Sequence, residues 1–188
     1  MDFAAVVAAA GMGTRMGGSI RKQYLVLGGI PVLVRSLNLF VEHFRCREVV
    51  AVIPPGEEEV VKELIRPFID LQKIALVPGG ESRRESVGRG IAALSSQAEL
   101  IAVHDAARPL ASKALLDALL DAAFRWGAAV PVVPLSDTVK EIDGRRFIVS
   151  TPARNKLRRV QTPQLFRSEL IIRAYSEAER VALEATDD

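Results

Sequence analysis

Five short runs, at residues 3–9, 48–53, 74–77, 100–103 and 128–133, are apolar almost without interruption. A strand solvated on one face alternates apolar and polar residues, whereas a strand covered on both faces need not. Between the runs lie segments with helical apolar spacing, at 31–44, 57–66, 82–94 and 112–126. Doubly covered strands alternating with helices predict an α/β fold: a three-layer, mainly parallel sheet with right-handed crossovers. The 188 residues suffice for one domain with a full core, and no stretch has the composition of a flexible linker.

Local signals bound the helices. Pro31 stands at the start of the first, where a missing N–H costs little, and Pro67 closes the second. Ser82-Arg83-Arg84-Glu85 has the spacing of a capping box. Ser112 precedes and Gly127 follows the fourth, whose Leu115, Leu116, Leu119, Leu120 and Ala123 form a core-facing stripe.

The rhythm changes after Pro134. Residues 137–142 and 145–149 alternate around Asp143-Gly144, the pattern of a β-hairpin, so residues of about 135–158 are expected to leave the sheet as an arm. Subunit contact and a surface hairpin without a partner are equally simple uses of such an arm. An extended piece at 160–166 and a last helix at 168–184 complete the chain, with no closing strand expected.

Composition excludes several functions. No apolar run approaches the roughly 20 residues that cross a bilayer, and Met1-Asp2-Phe3 leads straight into a strand, so a soluble cytoplasmic protein is expected. Cys46 is the only cysteine, which rules out an internal disulfide. A net charge of +2 does not argue for nucleic acid. Arg and Lys instead cluster at 15–22, 83–89 and 154–159, which suits a small anionic ligand.

Three of the apolar runs end in loops rich in unusual polar residues, at 9–22, 78–86 and 104–109, and a parallel sheet brings all three to one edge, where open α/β folds bind ligands. In the first, Gly11 and Gly13 lack a Cβ, so they can take positive φ and let backbone N–H groups approach an anion, with Arg15 and Lys22 adding full charges. A glycine-rich βα turn with solvated charges is the alternative. Gly-x-x-x-x-Gly-Lys-Ser/Thr does not occur, and Gly17 falls one place late for Gly-x-Gly-x-x-Gly, so neither standard nucleotide motif applies. Ser86 lies one turn inside its helix and is not needed for the cap. Asp105 and Arg108 form either a ligand contact or an internal ion pair. His104 fits a hydrogen-bonded residue at the core edge better than a metal ligand or base.

Taken in order, Ala9-Ala10-Gly11-x-Gly13-x-Arg15-Met16 with Lys22-Gln23-Tyr24, Gly79-Gly80-x-x-Arg83-x-x-Ser86-Val87, His104-Asp105-Ala106-Ala107-Arg108-Pro109, Asp137-Thr138-Val139-Lys140 and Gln161-Thr162-Pro163-Gln164-x-Phe166 resemble the 2-C-methyl-D-erythritol 4-phosphate cytidylyltransferase family over essentially the whole chain. The resemblance implies a Rossmann-like nucleotidyltransferase that joins CTP to a polyol phosphate and releases pyrophosphate. It implies that Ala9, Ala10, Gly11, Met12 and Gly13 wrap the CTP, that Gly80 and Ser86 contact the cytosine, and that Ala106 contacts the ribose. Arg15 and Lys22 would be catalytic at the α-phosphate. Asp105, Arg108, Thr138, Thr162 and Thr186 would line the substrate side. The hairpin would be the arm of a homodimer, and Arg154 would reach the neighbouring subunit's site. Mg²⁺ would be held mainly by the CTP phosphates, with Asp105 as the one carboxylate offered to it. The family continues past this point through a strand and loop that supply another lysine, so a C-terminal segment is expected to be missing from residues 1–188. A ribitol 5-phosphate cytidylyltransferase shares most of these motifs, and a non-catalytic nucleotide binder could share the fold.

Overall fold

The computed structural model describes residues 1–11 and 20–180. In chain order the elements are β1 (Phe3–Ala8), β2 (Val26–Leu27), β3 (Ile30–Pro31), α1 (Val32–Val41), β4 (Cys46–Ile53), α2 (Glu58–Ile65), β5 (Ala75–Pro78), α3 (Arg83–Ala92), β6 (Leu100–Asp105), α4 (Lys113–Trp126), β7 (Ala128–Ala129), β8 (Val132–Pro134), β9 (Glu141–Ile142), β10 (Ile148–Ser150), β11 (Arg158–Val160), β12 (Gln164–Arg167) and α5 (Ser168–Arg180). Among the described residues, six strands form the main sheet in the order β5-β4-β1-β6-β12-β7. The first four run parallel, with Val6 opposite Val50 on one side and Val103 on the other.

The alternation of β1 explains its uninterrupted apolar run. Phe3, Ala5 and Val7 pack with Leu33, Val34, Leu37 and Phe40 of α1, Val61 and Ile65 of α2, and Leu116, Leu119 and Leu120 of α4. Val6 points the other way, with Val50, Val52, Val103, Val87 and Ile91 of α3 and Ile171 of α5. Helices therefore cover both faces of β1, β4 and β6, as their apolar runs predict, whereas β5, at the sheet edge, and the run at 128–133 stay half-buried or exposed. Helix α3 lies close to the sheet at Gly90, where a Cβ would come within 2.5 Å of Val6 and 2.7 Å of Val52.

Caps form where the sequence marks them. The Ser82 hydroxyl accepts from the Glu85 amide, while the Glu85 carboxylate reaches back one residue further than the cap, to the Glu81 amide. Ser112 caps α4 by accepting from the Leu115 amide, and Gly127 ends it at φ 92°.

The departures from expectation lie around the arm. The run at 128–133 is not one strand: β7 stays in the main sheet, and β8 leaves it to pair antiparallel with β11. Nor is 160–166 merely extended, because β12 inserts antiparallel between β6 and β7. At the tip, β9 and β10 are shorter than the alternation suggests. Their turn does not rest on a left-handed glycine at Gly144; the left-handed residue is Arg146, at φ 67°. The Asp143 carboxylate compensates by accepting from the amides of Arg145 and Phe147. Earlier in the chain, Pro31 belongs to a tight hairpin turned by Gly28 and Gly29, both at positive φ, and α1 begins one residue later.

Candidate active site

Three loops meet at the carboxyl edge of the parallel strands. Ala9 follows β1 and donates its amide to Val52 O on β4; Gly79 follows β5 and donates to Ile53 O; Ala106 follows β6 and donates to Ala8 O. Each loop is thus stitched to the neighbouring strand before it departs. A Cβ at Gly79 would lie 2.4 Å from that of Ala10, so only glycine lets the first two loops approach this closely. Gly11 contributes differently from expectation: its φ is not positive, and among the described residues no atom outside its chain neighbours lies within 4 Å of where a Cβ would stand.

The loop at 79–81 is held at every step. The Gly80 amide donates to the buried Ser86 hydroxyl at 3.0 Å, and Arg89 donates to Gly79 O at 2.8 Å while pairing with Glu85. Ser86 is therefore brought against Gly80. Ala106 is likewise pinned, its carbonyl accepting from the Ser36 hydroxyl of α1 at 2.8 Å.

Asp105 is the electrostatic centre of the third loop. Arg83 donates to one carboxylate oxygen at 3.1 Å and Arg108 to the other at 2.8 Å, and Arg108 also reaches the Gln161 side chain. Burial alone would raise this carboxyl's pKa; the Arg108 hydrogen bond and the two guanidinium charges outweigh it and hold the pKa below the usual value. The internal ion-pair reading of Asp105 and Arg108 is therefore realised, widened to a second arginine. With both oxygens taken by guanidinium donors, a Mg²⁺ ion at Asp105 would have to displace Arg83 or Arg108. No cluster of three or more His, Cys, Asp or Glu suited to a metal occurs among the described residues.

Behind this cluster, the Thr162 hydroxyl accepts from the Asp105 amide at 3.1 Å and pairs with His104 Nδ1 at 2.9 Å. Thr162 is buried and braces Asp105 rather than presenting its hydroxyl outward. His104 is fully buried against Phe40, and burial pushes its pKa down to about 4, so its ring stays neutral near pH 7. That is the core-edge role expected of it.

Lys22 lies on a 3₁₀ turn, Lys22–Tyr24, and its ammonium has no hydrogen-bond or ion-pair partner among the described residues. The neighbouring Gln23 is buried and donates to Ala9 O at 2.6 Å and Gly11 O at 3.1 Å, tying this turn to the first loop. Thr138 and Arg154 are on the arm rather than in the loop cluster. Thr138 is exposed between β8 and β9, and Arg154 donates to Ser136 O across the arm's two legs. Met12, Gly13, Arg15 and Thr186 lie outside the described residues.

Sequence reasoning assigned no role to Gln23, Arg89, Gln161 or Glu57. Gln23 and Gln161 fall within the motifs and could have been found there; Arg89 and Glu57 carry no motif signal.

The sequence profile described as IspD, 2-C-methyl-D-erythritol 4-phosphate cytidylyltransferase, matches residues 3–188. The cytidylyltransferase of that name from Desulforamulus reducens is 42% identical over 188 residues, covering 100% of this chain and 80% of the relative. Its counterpart from Pelotomaculum thermopropionicum is 43% identical over 98% of this chain and 78% of its own length. Among solved structures, the Thermus thermophilus 2-C-methyl-D-erythritol 4-phosphate cytidylyltransferase superposes with a TM-score of 0.77 at 36% identity, over 100% of this chain and 81% of that one. The 4-diphosphocytidyl-2C-methyl-D-erythritol synthase from Anaerococcus prevotii gives 0.84 at 30% identity, over 99% and 78%.

A mainly parallel Rossmann-like sheet with glycine-bearing loops at its carboxyl edge, shared with these enzymes, makes this chain a nucleotidyltransferase. Within that class, it belongs to the 2-C-methyl-D-erythritol 4-phosphate cytidylyltransferase family.

Proposed function

We propose that the chain transfers CMP from CTP to 2-C-methyl-D-erythritol 4-phosphate, a step of isoprenoid precursor synthesis in the cytoplasm. A substrate phosphate oxygen bonds to the α-phosphorus in line with the departing group. The bond from that phosphorus to the α,β-bridging oxygen breaks, and pyrophosphate leaves with the electron pair. The products are pyrophosphate and 4-diphosphocytidyl-2-C-methyl-D-erythritol.

The observation that carries this reading is the convergence of three braced loops on one sheet edge beside Lys22, whose ammonium has no partner among the described residues. Two anions must meet, so positioning and opposite charge lower the barrier without a covalent nucleophile. Ala9, Ala10, Gly11, Met12 and Gly13 wrap the triphosphate, and Arg15 and Lys22 receive the charge that grows on the α-phosphate. Gly80 and Ser86 read the cytosine, Ala106 supports the ribose, and Asp105 with Arg108 borders the polyol, with Thr162 behind them and Thr138 and Thr186 on the substrate side. Any Mg²⁺ is carried by the CTP phosphates.

The arm serves a homodimer. Ile142, Phe147 and Ile148 on it are 57%, 67% and 64% exposed, more apolar surface than a free hairpin would leave in water. Arg154 then acts in the partner's site on the substrate phosphate.

An assay of pyrophosphate release from CTP, with each polyol phosphate offered in turn, tests the reaction. Turnover with 2-C-methyl-D-erythritol 4-phosphate is expected. Turnover with ribitol 5-phosphate alone would reassign the substrate, and CTP binding without turnover would leave a nucleotide binder.

A further inference from the structure

Lys22 sits on a turn of three residues, too short to hold its own shape. The residues on either side of it, however, share one anchor. Arg21 donates to both carboxylate oxygens of Glu57, with contacts of 2.7, 3.0 and 3.1 Å, and the Tyr24 hydroxyl donates to Glu57 Oε2 at 2.8 Å. Glu57 stands immediately before α2, after the turn at Pro54, Pro55 and Gly56, and so belongs to the β4–α2 connection rather than to the loop it holds. From the opposite side, Gln23 ties the same turn to Ala9 and Gly11. The chain neighbours of Lys22 are thus bound on both sides, while its own ammonium is uncommitted among the described residues.

We infer that Glu57 is a positioning residue for Lys22, holding the Lys22 turn against the β4–α2 connection through Arg21 and Tyr24. The inference rests on the reading of Lys22 as the α-phosphate cation. A carboxylate suits the task because it accepts from a guanidinium fork and a phenol at once. The Arg21 pairing also neutralises Glu57, so the carboxylate does not capture Lys22 in place of the phosphate. A lysine displaced by even an ångström from a reacting phosphate loses much of its effect on the transition state.

Two measurements on the full chain test this. Without any ligand, the Tyr24 and Leu25 amides, which donate to Arg21 O and Lys22 O within the turn, report on its integrity by hydrogen exchange. Glu57→Ala is expected to speed their exchange by about tenfold or more while leaving β1 unchanged. In turnover, Glu57→Ala is expected to lower kcat about tenfold with KM for CTP changed less than about threefold, and Glu57→Gln, which keeps an acceptor, to lose less. In a Lys22→Ala background, assayed at high enzyme concentration, Glu57→Ala should cost under about twofold more, because the residue it positions is gone. Unchanged exchange at Tyr24 and Leu25, a wild-type kcat in Glu57→Ala, or an undiminished loss in the Lys22→Ala background would each overturn the positioning role. Absence of pyrophosphate release from the wild-type chain would instead remove the functional reading, with exchange still deciding whether Glu57 holds the turn.

Discussion

The sheet edge and the arm spend their polar groups in opposite ways. At the edge, Asp105, Thr162, His104, Ser86 and Gln23 are buried or half-buried, and each is tied to a loop backbone or a neighbouring side chain. On the arm, short strand pairs carry Ile142, Phe147, Ile148 and Val149 in the open, and the polar bonds, such as Asp143 to its turn amides and Arg154 to Ser136 O, stay within the arm and on its surface. A site that must meet a phosphate within fractions of an ångström needs its geometry settled beforehand. A surface that gains its burial from a second chain can leave its apolar residues unsatisfied until then.

The largest expected effect breaks the rigid side of that contrast through pH. His104 ionises at about 4 in the folded chain, against an ordinary value of 6.5. Between those values the unfolded chain binds a proton that the folded chain refuses, so stability falls as pH drops from 6.5 to 4 and this group costs nothing further below. The loss is at most about 3 kcal/mol. Denaturant midpoints across that range should show it, and His104→Asn, which keeps a partner for Thr162, should flatten the profile.

Asp105→Ala comes next. It leaves Arg83 and Arg108 facing each other without their shared carboxylate, with an expected cost of about 2 kcal/mol in stability and at least about tenfold in turnover. Unfolding and pyrophosphate release measured on the same preparation check it; an unchanged kcat would mean that the cluster braces the fold alone.

On the arm the expected outcomes reverse. The pair Phe147→Ser and Ile148→Asp should halve the sedimenting mass, while shifting the unfolding midpoint of the isolated subunit by less than about 0.5 kcal/mol. A chain that is monomeric before substitution would remove the arm's assigned use. The smallest effect is at Arg146, whose left-handed φ favours glycine: Arg146→Gly should leave stability level or raise it by up to about 1 kcal/mol, read from thermal unfolding.

Much of this was legible in the chain before any folding was considered. Uninterrupted apolar runs announce strands covered twice, because only burial on both faces removes the need for polar alternation, and β1, β4 and β6 obey this. Ser82 and Ser112 mark helix starts because helix termini need local acceptors. The polar loops at 78–86 and 104–109 were placed at one edge by parallel topology alone. The insertion of β12 was not legible, since its antiparallel register is decided by partners distant in sequence, Leu165 against Ala102 and Ala129. The division of 128–133 followed from the same insertion: β12 pairs with Ala128 and Ala129 only, and Val132 onward finds β11 instead.

The sequence by itself determined which residues could meet a nucleotide: the glycines, the cations and the Asp-x-x-Arg after a buried strand, since these types and their order follow from backbone freedom and charge. Only the tertiary structure decided how each is committed. It turned Asp105 inward between two arginines, set Thr162 behind it, and joined Lys22's neighbours to Glu57. Hydrogen bonds between residues decades apart in the chain depend on where the sheet sets their backbones, and no local pattern records that distance.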